Sequence, residues 1–221
     1  MQHIVKIKSI ELITHDVLKI KTDKPTGIIY KPGQAVDISI NKPNWINEFR
    51  AFTFTSLPTE IYLEFIIKTY PNHHGLTNEL LFLNIGDELI IGDVFGDIVY
   101  KGEGTFIAGG AGITPFIAIL KQLQTENKIN NNKLLFANKS KNDIILEHYL
   151  KNVLNTNFIN ILSEEKWNEY EHGFINETII KKYANLNQYF YLCGPPPMME
   201  AVEKILLSLN VPSEKIIRES F

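Results

Sequence analysis

The chain of 221 residues carries 22 Lys and Arg against 25 Asp and Glu, a net charge of -3, which argues against a protein whose main task is gripping phosphate backbones. A hydrophobic fraction of 44% and a charged fraction of 21% belong to a folded globular chain, without disordered, collagenous or membrane-spanning character. One cysteine, Cys193, excludes an internal disulfide, a four-cysteine zinc site and an iron-sulfur cluster held by this chain alone.

The opening MQHIVKIKS lacks a signal-type apolar run, and the longest apolar stretch, 106–120, is broken by Gly and Pro. A cytoplasmic protein with no membrane partner is therefore expected. Through residue 99 the pattern is one of short alternating runs at 3–13, 17–22, 35–40, 60–67 and 88–94, separated by turn residues. This predicts a small antiparallel barrel of about six strands, with room for one short helix at 76–83.

Beyond 101–104 the pattern becomes strand, helix, strand. Strands are expected at 105–108, 133–137, 157–162, 189–193 and 215–218, and helices at 115–125, 144–154, 175–183 and 197–209. Such alternation gives a parallel sheet covered on both faces. The expected fold is thus β followed by α/β: an antiparallel six-stranded β-barrel domain over 1–100, then a five-stranded parallel-sheet domain over 104–221.

Four segments carry candidate chemistry. In Arg50-Ala51-Phe52-Thr53 the arginine offers a planar fork suited to phosphate, although an edge-strand arginine beside a core phenylalanine would read the same. Gly75-Leu76-Thr77-Asn78 opens the only helix of the barrel half, where backbone amides can receive a diphosphate or Thr77 can simply cap the helix. The run from Phe106 through Gly109-Gly110-Ala111-Gly112-Ile113-Thr114-Pro115 takes a buried strand through a glycine turn into a helix begun by proline. It departs from the three-glycine dinucleotide spacing by ending in Thr-Pro. Cys193-Gly194-Pro195-Pro196-Pro197-Met198 follows a later strand at its carboxyl end, where parallel sheets bind ligands. His73 and His74 are adjacent and diverge, so no metal site is expected.

Taken in order, RAFT, GLTN, GGAGITP and CGPPPM, with Glu219-Ser220-Phe221 at the chain end, resemble the ferredoxin:NADP reductase superfamily, in its flavodoxin or ferredoxin reductase-like flavoproteins without an iron-sulfur domain. The resemblance spans nearly the whole chain. It implies FAD on the barrel, NADH or NADPH on the parallel-sheet domain, and hydride passing from nicotinamide to bound FAD. Electrons would then go to a separate acceptor such as flavodoxin or ferredoxin. Two alternatives stay open: a reductase that uses free flavin as substrate, and a non-enzymatic electron-transfer subunit of a complex.

By the same resemblance Arg50 would contact the flavin diphosphate, Phe52 would flank the isoalloxazine or ribityl chain, and Thr53 would hydrogen-bond near the hydride-accepting N5. Gly75 to Thr77 would face the diphosphate, while Gly110, Gly112, Thr114 and Pro115 would surround the nicotinamide nucleotide beside Cys193 and Gly194. The implied cofactor-binding set also takes in Ala51, Lys68, Leu76, Ile113, Pro195, Pro196 and Met198. Glu219 matches a carboxylate near the reacting rings and Phe221 a terminal aromatic stacked on flavin, which makes Thr53, Cys193 and Glu219 the catalytic set.

Two departures are informative. Many FAD-holding members have Tyr at the position of Phe52, whereas members using diffusing flavin can have Phe. Where NADP-specific relatives carry Ser-Arg, this chain has Ser163-Glu164. A carboxylate there repels a 2'-phosphate and accepts from a free ribose hydroxyl, which leans the reading toward NADH, while Lys139, Lys141 and Lys166 can reverse the local sign and leave NADPH open.

Overall fold

The computed structural model describes residues 2–219, so the expectation for Phe221 falls outside the described residues. The first half forms β1 (His3–Leu12), β2 (Val17–Asp23), β3 (Ala35–Ile40), β4 (Arg50–Thr53), β5 (Tyr62–Lys68), a one-turn helix α1 (Leu76–Glu79) that tightens to 3-10 over Leu80–Phe82, and β6 (Glu88–Phe95). The strands pair in the order β4-β3-β6-β1-β2-β5, every pair antiparallel. A single bridge between Phe54 and Phe65 links the two edges, so the sheet curls into a barrel that meets itself through one bridge rather than a full ladder.

Period-two alternation fills it. Val36, Ile38 and Ile40 of β3 and Leu63, Phe65 and Ile67 of β5 point into one core, where they meet Leu76 and Leu80 of the helical segment. Tyr30 stacks on Phe54 with ring centroids 4.0 Å apart.

The second half runs β7 (Gly104–Gly109), α2 (Thr114–Thr125), β8 (Lys133–Asn138), α3 (Glu147–Leu154), β9 (Phe158–Leu162), β10 (Glu171–His172), α4 (Glu177–Tyr183), β11 (Tyr189–Cys193), α5 (Pro196–Ser208) and β12 (Ile216–Arg218). The sheet order is β10-β9-β8-β7-β11-β12, and all its strands are parallel. The five strands expected from the sequence are present. β10 adds a two-residue edge strand, too short to leave a period in the sequence.

Both faces of this sheet are covered, so its strands are continuously apolar. Phe106, Leu134 and Phe136 face α2 and α3, while Ile107, Leu135, Ile159 and Ile161 face α4 and α5. α2 is buried along most of its length because the sheet lies on one side and the barrel on the other. It stops where Asn127 takes a left-handed φ of 55° and the Lys128 N–H returns to the Leu123 carbonyl at 2.7 Å, a helix-ending wrap that Asn tolerates.

β5 joins the halves. Its inward residues belong to the barrel core, but Ile66, on the other face, joins Val17 in the core built around α2. Glu64, on the same outward face, is only 5% exposed.

Candidate functional site

The strand order reverses direction at β7: β8 and β9 lie to one side, β11 and β12 to the other. Chain connections therefore part at the carboxyl ends of β7 and β11, the place where an open parallel sheet leaves a crevice for ligands. β7 ends at Gly109, turns through a 3-10 segment over Gly110–Ile113 and enters α2 with Pro115 in its first turn, where no N–H is needed. Thr114 Oγ1 donates to the Ala111 carbonyl at 3.0 Å and closes the turn.

The glycines of this turn have different duties. Gly110 has φ +51°, and nothing lies within 4 Å of where its Cβ would stand, so its backbone is open to an approaching phosphate. A Cβ on Gly112 would stand 2.2 Å from the Cys193 carbonyl oxygen; Gly112 is demanded by the neighbouring chain, a reason the sequence did not reveal. On the facing strand, Cys193 and Gly194 lead through Pro195 into α5, with Pro196 and Pro197 in its first turn. Met198 closes over Gly194, its Cε 2.6 Å from that glycine's Cβ position.

β12 lies parallel to β11 with Leu192 opposite Arg218, which brings the next residue, Glu219, beside Cys193. Glu219 is 8% exposed. Its Oε2 accepts the Asp97 N–H at 3.5 Å, and its Oε1 lies 3.3 Å from the Cβ position of Gly96, which is itself 3.4 Å from the Ala35 nitrogen. Ala35 pairs with Thr53 in the β3–β4 ladder. Glu219 and Cys193 thus border the junction with the barrel half, where Thr53 stands one ladder partner beyond Ala35.

Burial, and then the Glu219 carboxylate, push the Cys193 thiol up to about 12, so it stands there as a neutral group. The Glu219 carboxyl is also raised, by burial and the Asp97 charge, against the lowering effect of the Asp97 and Ile98 backbone N–H groups. A raised carboxyl opposes folding once it must ionise, and the stability it withholds is present only below the ordinary carboxylate range. Glu219→Gln should therefore raise the thermal midpoint at pH 7, with the gain fading as the pH falls to about 4. A midpoint unchanged at pH 7 would contradict this.

The remaining expected positions distribute as follows. Arg50 and Ala51 are exposed on β4, with Arg50 Nη1 donating to the Phe49 carbonyl at 2.6 Å; Phe52 is half-buried against the barrel core. α1 begins at Gly75, with open space at its Cβ position, and Leu76 ties the helix into the core. The capping role considered for Thr77 is not found: Gly75 is itself the N-cap, and no side chain caps the helix. Lys68 Nζ is held by Asp16 Oδ2 at 2.8 Å. Asp16 and Asp143, the latter from the second half, both approach His15 Nε2, at 3.6 and 3.8 Å.

Ser163 and Glu164 follow β9. Their N–H groups donate to the carbonyls of Asn138 and Lys139 at 3.0 and 2.9 Å, which lays them along the carboxyl edge beside β8. Glu164 is exposed and pairs loosely with Lys139 at 3.6 Å, while Lys141 covers the Trp167 ring at 4.4 Å. The side chain of Asn138, at the end of β8, is buried with both polar atoms lacking a partner among the described residues. An orphaned amide on this edge, beside an open Gly110 backbone, fits a nucleotide laid across the ends of β7 to β9.

The match to known families follows the same division. An FAD-binding domain family matches residues 2–85, and the oxidoreductase NAD-binding domain family matches 106–204. The fold is shared with ferredoxin reductase-like proteins. Relatives of known role align over nearly all of the chain. The reductase component of propane 2-monooxygenase from Mycolicibacterium smegmatis is 27% identical over 98% of this chain, which spans 66% of that protein. NADH-cytochrome b5 reductase 1 of Coccidioides immitis is 26% identical over 96% of this chain, which spans 76% of that protein. A ferredoxin NADP+ reductase from Neisseria gonorrhoeae, solved with bound FAD and NADP, superposes with a TM-score of 0.86 at 16% identity, covering 99% of this chain and 98% of its own. The matches thus place an FAD-binding domain first and an NAD-binding domain after it. No helix among its described residues is long and apolar enough to cross a membrane.

Three groups escaped sequence reasoning. The Glu64–Lys121 pair, the His15, Asp16 and Asp143 group and the Asp97 contact to Glu219 all join residues far apart in the chain. For the first a local signal existed: one carboxylate in the apolar run YLEFIIK and one ammonium in the apolar helix TPFIAILKQLQT.

Proposed function

We propose that this chain is an NAD(P)H-dependent flavoprotein reductase, with FAD on a domain spanning 1–100 and the nicotinamide nucleotide on one spanning 104–221. The observation that carries this reading is the junction at which Glu219, beside Cys193, reaches Gly96 and Asp97 of the barrel half, next to the β3–β4 ladder that holds Thr53. When bound, the flavin supplies a centre that accepts the hydride of the reduced nicotinamide and passes the electrons onward. The protein contributes placement, since hydride transfer needs two rings held face to face.

Arg50 and the amides of Gly75 to Thr77 would receive the flavin diphosphate, with Ala51, Phe52 and Lys68 along its flank and Thr53 as donor near N5. The Gly110 turn with Ile113, Thr114 and Pro115 would carry the nucleotide pyrophosphate, and Cys193 to Pro196 with Met198 would wall the nicotinamide. A thiol kept neutral suits an uncharged wall. Ser163 and Glu164, at the edge that a ribose would reach, favour NADH over NADPH through repulsion of a 2'-phosphate. The acceptor is a separate small redox protein such as flavodoxin or ferredoxin, in keeping with relatives named as the reductase component of propane 2-monooxygenase and the electron transfer component of toluate 1,2-dioxygenase.

The test is to load the purified chain with FAD, pass it through gel filtration, and titrate it anaerobically with NADH and with NADPH. A yellow protein bleached far more readily by NADH is expected. Bleaching mainly by NADPH would overturn the role given to Glu164. Loss of colour on the column, with NADH oxidation that saturates with added flavin, would move the assignment to a free-flavin reductase. A loaded protein bleached by neither nucleotide would leave only an electron-transfer subunit.

A further inference from the structure

The two halves are joined by an ion pair whose carboxylate is buried and whose ammonium is partly exposed. Lys121 Nζ, on α2, lies 2.8 Å from Glu64 Oε1 on β5 and donates to the Thr55 carbonyl at 2.7 Å. Glu64 also accepts the Thr55 hydroxyl at 2.9 Å, and Lys21 Nζ stands 3.6 Å from its other oxygen. Burial would raise the Glu64 carboxyl, but Lys121, Thr55 and Lys21 outweigh it and hold it below the usual range. A lysine that satisfies a carboxylate and a main-chain carbonyl together fixes direction as well as distance.

Its placement gives that fixation a consequence. α2 begins at Thr114, where the Gly110 turn ends, and Lys121 sits two helical turns, about 10 Å, further on. At the other end of the contact, Thr55 follows the Arg50-Ala51-Phe52-Thr53 segment after only Phe54. One side chain thus ties the helix that carries the nucleotide turn to the strand segment that carries the flavin motif.

We propose that Lys121 is a positioning residue for hydride transfer, which sets the separation and tilt of the two cofactor platforms by clamping α2 to Glu64 and the Thr55 carbonyl. This rests on the reductase reading above. Misplacement by about 1 Å can cost on the order of a hundredfold in rate, whereas binding of either cofactor to its own half is left intact.

The experiment uses the full FAD-loaded chain in anaerobic stopped flow with NADH. Lys121→Met is expected to retain FAD and to half-saturate at an NADH concentration within about twofold of wild type, but to reduce flavin at least about tenfold more slowly. The long-wavelength absorbance of stacked nicotinamide and flavin should weaken, and Lys121→Arg should recover most of the rate. In case Lys121→Met folds poorly, the double variant Glu64→Leu with Lys121→Met supplies an apolar pair that supports folding and should stay slow. A single or double variant that is folded, FAD-loaded and as fast as wild type overturns the clamp alone, as does a rate loss that only tracks loss of FAD. A wild-type chain bleached by neither nucleotide overturns the reductase reading, and the positioning role with it.

Discussion

Replacing Gly112 by valine is expected to cost about 3 kcal/mol of stability and to remove nearly all NADH-driven flavin reduction while FAD stays on the barrel. Any Cβ at this position would meet the Cys193 carbonyl oxygen at 2.2 Å, with the Gly194 nitrogen at 2.6 Å behind it. These are backbone atoms at the end of a central strand and cannot swing aside as a side-chain tip could. The turn or the end of β11 must move, and both border the crevice. Denaturant unfolding reads the stability, and stopped-flow bleaching the function. Gly110→Ala is the control: its Cβ enters open space at φ +51°, so its cost is left-handed strain of about 1 kcal/mol. A Gly112→Val protein as stable as Gly110→Ala would show that the two loops are not held against each other.

Removing Glu64 alone should be the most damaging single change at the junction. Glu64→Leu leaves the partly exposed Lys121 ammonium with the Thr55 carbonyl but without its counter-charge, a loss of about 2 kcal/mol, as for a charge-assisted hydrogen bond. Adding Lys121→Met should recover much of it, because the pair's attraction is set against a large desolvation cost. The pH dependence has a definite sign. The folded-state carboxyl is lowered, so its stabilisation is present above the ordinary carboxylate range and is lost as pH falls through the lowered value. Urea unfolding at pH 7 should therefore separate wild type from Glu64→Leu more widely than unfolding in acid, where wild type loses its advantage. Equal midpoints at pH 7 would rule out a stabilising role for the pair.

Much of this architecture was legible because both halves use simple periods. Runs such as AVDISI and YLEFIIK place alternate residues inward, and LLFAN between helices has the continuous apolar character of a strand covered twice. The Gly110–Pro115 turn and the Cys193–Met198 segment were legible as a glycine-to-proline helix start and a strand end followed by prolines. Two kinds of information were not. Pairing across long stretches of chain leaves no local trace, so nothing around Asp143 announces His15 and nothing around Glu219 announces Gly96 and Asp97. The reason for a glycine is equally silent: Gly110 and Gly112 look alike in the sequence, yet one faces open space and the other a carbonyl.

β5 carries a wider implication for how the chain holds itself together. Ile66 and Val17, encoded in the barrel half, are buried in the core organised by α2. Glu64, beside them, is charged and almost wholly covered from the far side. The barrel therefore lacks autonomy: one of its walls is finished only when a helix made from the later half of the chain is laid upon it. What the sequence divides near residue 100 is joined again as a shared wall, in which β5 serves both cores at once.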